Sequence, residues 1–350
     1  MTDLTDTAPA RHSHFVFEVT QRCNHDCPHC YNAWKNPVGY PAGELGTAET
    51  LRILAKMLDE TGATLVSLTG GEPLLRPDLD DIVAFLDSRG VTINLITNGS
   101  LLTDAAIARL TPDTISVFEL PLLSSERDIH DRMSGSSGAF DRVTAAMAEL
   151  KLRGARVIGV FVATRLNLST WRQTAELAVA LGLDGVMFNR FNPGGRGRDN
   201  IALLQATPAE LQAALDEAER VSEQYDFPIS CSIAMPPCLF DVGRYKRLTF
   251  GFCAAGTERA YYALDPLGNV RPCNHSPTIL GNILTSGFSD LVRSRKARSF
   301  NEARPPFCAG CRLEMQCLGG CKAAAEACCG SPWDMDPYLG AFHACAVKVS

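Results

Sequence analysis

Cys23, Cys27 and Cys30 stand in the spacing C-x3-C-x2-C, with Tyr31 directly after them and no fourth cysteine nearby. A four-iron cube takes one ligand per iron, so three thiolates leave one iron open to a ligand from outside the protein. Cysteine is 14 of 350 residues, and chance would give this spacing about 0.02 times per chain. The triplet follows an apolar, strand-like run from Phe15 to Thr20. A second such run, Thr64 to Thr69, ends in Gly70, Gly71, Glu72 and Pro73. Paired glycines let a backbone approach a ligand closely at a strand end. Glu72 offers a carboxylate to an ammonium group, and Pro73 stiffens the turn. The bland alternative is a tight turn with a solvated glutamate.

A second group lies near the C-terminus. Cys308, Cys311, Cys317 and Cys321 place four thiols within 14 residues, a pattern chance would give about 0.001 times. Upstream stands Cys253, followed by Gly268 and Cys273, with Pro272 before the second cysteine. Zinc also takes closely spaced cysteines and is the alternative metal for this tail.

These residues need elements to hold them. Strand-like runs fall at residues 15–20, 64–69, 92–97, 114–120, 157–163 and 185–191, mostly near-continuous apolar or β-branched stretches. That pattern predicts parallel strands covered on both faces. Helical stretches lie between them. Leu51, Leu54 and Leu58 share a face in the first, Leu79, Ile82, Val83 and Leu86 in the second, and Phe140, Val143, Met147 and Leu150 in the one before strand five. Thr207, Pro208 and Glu210 spell a capping box with proline at the first helical position, ahead of Leu211, Leu215 and Val221. The expected fold class is α/β: a partial (β/α)6 TIM-like barrel over residues 14–230, then a small cysteine-rich iron–sulfur domain over 231–350. Residues 1–13 read as a disordered leader. Barrel active sites lie at the C-terminal strand ends, where Cys23–Cys30, Gly70–Pro73 and Thr97-Asn98-Gly99 all fall.

The composition bounds the function. Apolar residues make up 46%, enough for a substantial core, and 33 basic against 39 acidic side chains give a formal charge of −6. That mild acidity argues against a nucleic-acid or anionic-membrane surface. The polar N-terminus is unlike a signal peptide, and no apolar run approaches a membrane span. A cytoplasmic location follows. Disulfides are rare there, so the cysteines read as metal ligands.

The cysteine triplet and the Gly-Gly-Glu-Pro motif after strand two resemble the radical S-adenosylmethionine (radical SAM) enzymes, and the resemblance runs over about residues 14–345. It implies that Cys23, Cys27 and Cys30 hold a [4Fe–4S] cluster whose open iron chelates SAM. Gly70, Gly71, Glu72 and Pro73 would hold the methionyl amine. Thr97 and Asn98 would lie near the ribose, although an ordinary Asn-Gly turn explains them equally well. Tyr31 would lie beside the adenine or serve as a packing aromatic. Asn167, after strand five, also matches the family and counts among the cofactor residues. The tail resembles the SPASM extension, which carries two auxiliary [4Fe–4S] clusters. By that likeness Cys253, Cys273 and Cys321 hold the first, with Cys238 as fourth ligand or the site open to substrate. Cys308, Cys311 and Cys317 hold the second, with Cys345 as the expected fourth ligand and Cys328 or Cys329 as alternatives. Relatives often place that ligand just after an Asp-Pro pair; here the chain reads Asp336, Pro337, Tyr338. Cys231 is left over, a plain buried thiol.

One departure falls beside the expected reaction centre. Many relatives read Ser-Leu-Asp-Gly after strand four, and this chain reads Phe118, Glu119, Leu120, Pro121. Glu119 is either a polar substrate contact or a lone acid at the barrel mouth. The implied chemistry is reductive cleavage of SAM to a 5′-deoxyadenosyl radical that abstracts a substrate hydrogen. Maturation of a ribosomally made peptide is the favoured role. About 13 residues before the barrel are too few for a fused recognition domain, so a separate peptide-recognition protein is expected, with a flavodoxin or ferredoxin as electron donor. The rival readings are a radical SAM dehydrogenase, decarboxylase or epimerase of a small molecule such as a sugar, cofactor precursor or porphyrin, and a non-catalytic iron–sulfur electron carrier.

Overall fold

The six apolar runs become six parallel strands, each bound lying within one residue of its predicted place: β1 (His14–Thr20), β2 (Leu65–Gly70), β3 (Thr92–Ile96), β4 (Ile115–Pro121), β5 (Val157–Ala163) and β6 (Gly185–Arg190). The structure is a computed structural model that describes residues 12–35, 39–110 and 113–341. Side chains alternate across a strand. In β1, Phe15, Phe17 and Val19 are buried in the main apolar core, which leaves Glu18 and Thr20 on the barrel's inner face. In β4, Phe118 and Leu120 join that core and Glu119 points the other way.

Amphipathic helices cover the outer face. The helix Thr47–Thr61 buries Ile53, Leu54, Met57 and Leu58 and stops at Gly62, whose φ of 67° few other residues adopt readily. Leu51 is only half-buried, because the stripe is centred on Ile53 and Met57 rather than on the leucines. The helix Pro208–Tyr225 starts at the predicted capping box, with the Thr207 hydroxyl accepting from the Glu210 N–H and the Glu210 carboxylate accepting in return. Leu79, Ile82, Val83 and Leu86 lie buried on the helix Leu79–Ser88, as do Phe140, Val143, Met147 and Leu150 on Ala139–Leu152.

The sheet extends beyond the six strands at both edges. β6 is followed by two short parallel strands, β7 (Ile229–Cys231) and β8 (Thr249–Phe250). The free edge of β1 takes β9 (Tyr262–Leu264) in parallel, then β10 (Asn269–Arg271) and β11 (Gly281–Asn282) in antiparallel. The order is β11-β10-β9-β1-β2-β3-β4-β5-β6-β7-β8, so β1 and β6 are not neighbours and the barrel stays open. Tyr262, Leu264, Val270, Ile283 and Phe288 belong to the same apolar core as β1. A smaller cluster of Ala255, Phe300 and Ala323 packs against Cys253, Cys273 and Cys321.

Most of the expected leader lies outside the described residues. His12 and Ser13 are fastened: the Ser13 carbonyl accepts from Thr64 and Leu65, and the His12 ring packs edge-on to Tyr262 and Phe288. Among the described residues no helix is long and apolar enough to cross a membrane.

Candidate active site and cysteine centres

At the C-terminal ends of β1 and β2 the chain is joined to itself very closely. The pairing register shifts between Glu18 and Thr20. Beyond it the Gly71 N–H donates to the Thr20 carbonyl and the Glu72 N–H to the Arg22 carbonyl, each at 2.8 Å. A Cβ on Gly70 would stand 2.4 Å from the Thr20 oxygen, and one on Gly71 would stand 2.0 Å from the Arg22 oxygen. The close approach at both glycines is therefore made by this chain's own backbone, at the lead-in to Cys23. Pro73 opens a single 3-10 turn, Pro73–Leu75, where its missing N–H costs nothing.

Glu72 is fully buried. Its carboxylate accepts from the Thr97 hydroxyl at 2.7 Å, the Asn98 N–H at 2.7 Å and the Leu74 N–H at 3.1 Å. Burial pushes its pKa up, and those three donors pull it back. Thr97 and Asn98 thus orient Glu72. The Asn98 side chain also donates to Asn24 at 2.8 Å, tying the end of β3 to the cysteine loop. Arg76 was missed in the sequence. Its buried guanidinium donates to the Val19 carbonyl at 2.6 Å and the Thr50 hydroxyl at 2.8 Å and forks onto Asp78. A lone arginine in the turn Leu74, Leu75, Arg76, Pro77 was the available signal.

The thiols of Cys23, Cys27 and Cys30 are neighbours. Burial, with the charges of Cys30 and Cys23, holds the Cys27 thiol well above the ordinary range. The loop is clasped from two sides. The Cys27 thiol donates to the Ser134 carbonyl at 3.3 Å, and Gly135 packs on the Asp26 backbone, where a Cβ would clash at 2.3 Å. Opposite, Arg196 pairs with Asp26 and the Gly197 N–H donates to the Cys30 carbonyl at 3.0 Å. Burial lowers His25 and His29 to about 4, so both are neutral, and His25 Nε2 and His29 Nδ1 have no hydrogen-bond partner.

Tyr31 turns toward the C-terminal region. Its ring stacks on His275 with centroids 3.8 Å apart, and its hydroxyl accepts from the Asn274 amide at 3.1 Å. Asn167 is committed to its own chain. Its amide donates to the Leu123 and Val162 carbonyls, and its oxygen accepts from the Thr164 N–H and hydroxyl. Glu119 faces the barrel interior at the end of β4, next to the strand end that orients Glu72, since the Thr97 N–H donates to the Glu119 carbonyl at 3.1 Å. Burial alone pushes its carboxyl up to about 7.

The tail cysteines fall into two groups. Cys253, Cys273 and Cys321 line one cavity with Tyr261, His275 and Lys322. Burial pushes Cys273 up to about 11 and Cys321 up to about 12, and each feels the charge of Cys253. The Cys321 N–H donates to Asp336 at 2.7 Å, and Asp336 is paired with Arg190 at the end of β6, both fully buried. The second group is Cys308, Cys311 and Cys317: burial, then the charges of Cys317, Cys238 and Cys311, push Cys308 up to about 11. Cys328 and Cys329 line a different cavity beside Tyr31 and His275. Cys231 is a buried thiol pushed up to about 12 by burial alone. Cys345 lies outside the described residues. Among those residues no three His, Cys, Asp or Glu side chains draw together tightly enough to hold a single metal ion. The thiol sets instead fit a larger core in their chemistry: Cys23, Cys27 and Cys30 in one loop, Cys308, Cys311 and Cys317 in one stretch, and Cys253, Cys273 and Cys321 drawn from separate segments.

The radical SAM superfamily profile matches residues 17–178, and that of SPASM, an iron–sulfur cluster-binding domain, matches 253–312. A PqqA peptide cyclase of Ruegeria pomeroyi is 31% identical over 96% of this chain and 88% of that protein. The chain belongs to the radical SAM superfamily. An AdoMet-dependent heme synthase of Methanosarcina barkeri is 27% identical over 92% of this radical SAM chain and 95% of its own length. The structure of anSMEcpe with bound AdoMet and the Cp18Cys peptide superposes with a TM-score of 0.72 at 15% identity, over 94% of each chain, a likeness of fold. This radical SAM enzyme takes S-adenosylmethionine and iron–sulfur clusters as cofactors.

Two outcomes follow from the strand-end geometry. Where Glu72 accepts from the methionyl ammonium of SAM, as the family resemblance implies, Glu72→Gln loses a charge-assisted hydrogen bond contributing about 1.5–3 kcal/mol, and SAM affinity should fall about ten- to a hundredfold with iron content unchanged. Unchanged affinity would make Glu72 a turn residue only. Glu119 is read by pH. Between about 4.5 and about 7 the unfolded chain releases a proton that the folded chain keeps, so this residue's contribution to stability falls as pH rises through that window and is flat above it. Glu119→Gln should therefore melt higher than wild type at pH 8, by at most about 3 kcal/mol, and no higher at pH 4. Equal melting at both pH values would mean a solvated carboxylate.

Proposed function

We propose that this chain matures a ribosomally synthesised peptide, by crosslinking, epimerisation or side-chain oxidation, after reductive cleavage of SAM. The observation that carries the SAM site is the buried Glu72 carboxylate, oriented by three donors and hydrogen-bonded through its own backbone to the lead-in of the cysteine loop. In this reading Cys23, Cys27 and Cys30 hold the SAM-binding cluster, while Cys253, Cys273 and Cys321, and separately Cys308, Cys311 and Cys317, hold the auxiliary ones. When bound, the cluster and SAM supply a 5′-deoxyadenosyl radical for hydrogen abstraction.

The protein's own part is positioning. Glu72 accepts from the methionyl ammonium of SAM. Gly70, Gly71 and Pro73 fix where that carboxylate stands, and Thr97 and Asn98 fix its direction. Tyr31 gives one wall of the cofactor site, and Asn167 braces the end of β5 from behind. Glu119, on the inner face of β4, holds a proton or accepts a hydrogen bond from the substrate.

The peptide reading is supported by the PqqA peptide cyclases, three of which are 28–31% identical over at least 85% of their length. A cavity of about 670 Å3 beside the cysteine loop adds to it, because Arg198, Lys296 and Glu326 give its wall both signs of charge, suited to a peptide's mixed groups. The reading includes an electron donor such as flavodoxin or ferredoxin, a separate peptide-recognition protein and a cytoplasmic site of action. The heme synthase relative favours the second reading, a small-molecule substrate such as a porphyrin.

The test is anaerobic turnover with a strong reductant. Wild-type protein should form 5′-deoxyadenosine slowly alone and faster with a short peptide encoded beside its gene, and that peptide should change mass. The Cys23→Ala, Cys27→Ala, Cys30→Ala triple variant should form none. Acceleration by a porphyrin and not by the peptide would replace the peptide reading, and no cleavage under any condition would leave an electron carrier.

A further inference from the structure

We propose that the basic face around the helix Arg295–Glu302 and the cysteine turns after it docks an acidic one-electron carrier protein, which reduces the cluster held by Cys308, Cys311 and Cys317. This inference rests on the reading that those three thiols hold a cluster. Residues 293–312 carry six basic side chains, Arg293, Arg295, Lys296, Arg298, Arg304 and Arg312, and one acidic, Glu302, in a chain whose formal charge is −6. Among the described residues none of the six is in an ion pair, and the bonds that Lys296, Arg298 and Arg304 make go to backbone carbonyls. Elsewhere, exposed arginines such as Arg89, Arg109 and Arg127 each hold an aspartate.

These cations lie on a firmly built surface. In the helix Arg295–Glu302, Ala297 and Phe300 are buried, so Arg295, Arg298 and Ser299 share the solvent face. The Trp333 indole N–H donates to the Ser299 hydroxyl at 3.2 Å, which brings that ring to the same face. The helix leads straight into the cysteine turns. There the Cys308 N–H donates to the Pro305 carbonyl at 2.8 Å, and the Cys311 N–H to the Cys308 carbonyl at 3.0 Å. Gly319 packs on Pro305, where a Cβ would stand 2.4 Å from the proline ring. Phe307, Met315 and Trp333 are 45%, 87% and 42% exposed. Arginine, methionine and aromatic side chains are those that protein interfaces enrich.

The partner's chemistry follows from what this surface covers. Cys311 is exposed, whereas Cys23, Cys27 and Cys30, and likewise Cys253, Cys273 and Cys321, are all partly covered. Of the three thiol sets this is the one that reaches the surface, so a protein donor approaches it most closely. Reductive cleavage of SAM consumes an electron. One electron leaves the carrier, which is oxidised, and enters the tail cluster, which is reduced, with no bond formed or broken. The carrier's acidity follows from the charge. The remainder of an acidic chain repels an acidic partner, so unmatched cations on one face fix where it lands and raise its association rate. Redox encounters need only a small interface, below about 1,200 Å2.

The probe is a reduced flavodoxin of strongly negative net charge. Its affinity for the full chain, reconstituted anaerobically, and the stopped-flow rate of cluster reduction are the readouts. Arg295→Glu with Arg298→Glu should weaken both about tenfold or more at low ionic strength, and the difference should close near about 1 M salt, where charges are screened within about 3 Å. Arg295→Lys with Arg298→Lys, which keeps the charge, should match wild type. All three proteins should cleave SAM equally with reduced methyl viologen. An equal loss in an Arg89→Glu, Arg109→Glu double variant would make the effect one of bulk charge and overturn the docking face, as would rates insensitive to both reversal and salt. Reversal that slows peptide-stimulated turnover under viologen, with flavodoxin reduction unchanged, would overturn it too and give the face to a peptide-delivering partner. Wild-type iron in a Cys308→Ser, Cys311→Ser, Cys317→Ser triple variant would instead overturn the cluster reading beneath it.

Discussion

The contact on which the site depends is a backbone one: the Gly71 and Glu72 N–H groups against the Thr20 and Arg22 carbonyls. Parallel strands diverge after their last ladder bond unless something joins them. Here two glycines let the end of β2 continue pairing with the chain that leaves β1, at a distance that any Cβ would forbid. The residue that leaves the glycines is Glu72, and the chain that leaves β1 becomes the cysteine loop. One pair of hydrogen bonds therefore sets where a carboxylate stands relative to three thiols. Arg76 reinforces the join from behind by holding the Val19 carbonyl.

Two buried arginines perform the corresponding task between barrel and tail. Arg190 at the end of β6 pairs with Asp336, which holds the Cys321 N–H. Arg271 on β10 pairs with Glu18 on the inner face of β1 and donates to the Ser276 carbonyl at 2.7 Å, fixing the turn that presents His275 to Tyr31. Buried ion pairs add little net stability, because desolvation offsets their attraction, and their clearest use is to fix geometry. Both pairs join segments far apart in sequence.

Much of this was legible in the residues. Six strands were readable because parallel strands buried on both faces give near-continuous apolar runs, and the cysteine spacings were readable because closely spaced thiols are rare by chance. The partners of Thr97 and Asn98 were not. An Asn-Gly turn after a strand has the same letters whether it faces a ribose or a carboxylate 25 residues earlier. β9, β10 and β11 were not legible either, since strands of two or three residues carry no periodicity. Their attachment to β1 depends on Arg271 and on apolar side chains that only tertiary packing brings together.

The central claim is that one backbone join sets both the cysteine loop and the carboxylate, and Gly71→Ala tests it most directly. SAM affinity and iron content should be measured together on the reconstituted variant. A Cβ at this position pushes the end of β2 off the lead-in to Cys23, so SAM affinity and about four irons per chain should be lost together, while the tail clusters keep their spectra. Loss of SAM affinity with all iron retained, or wild-type values for both, would contradict the account.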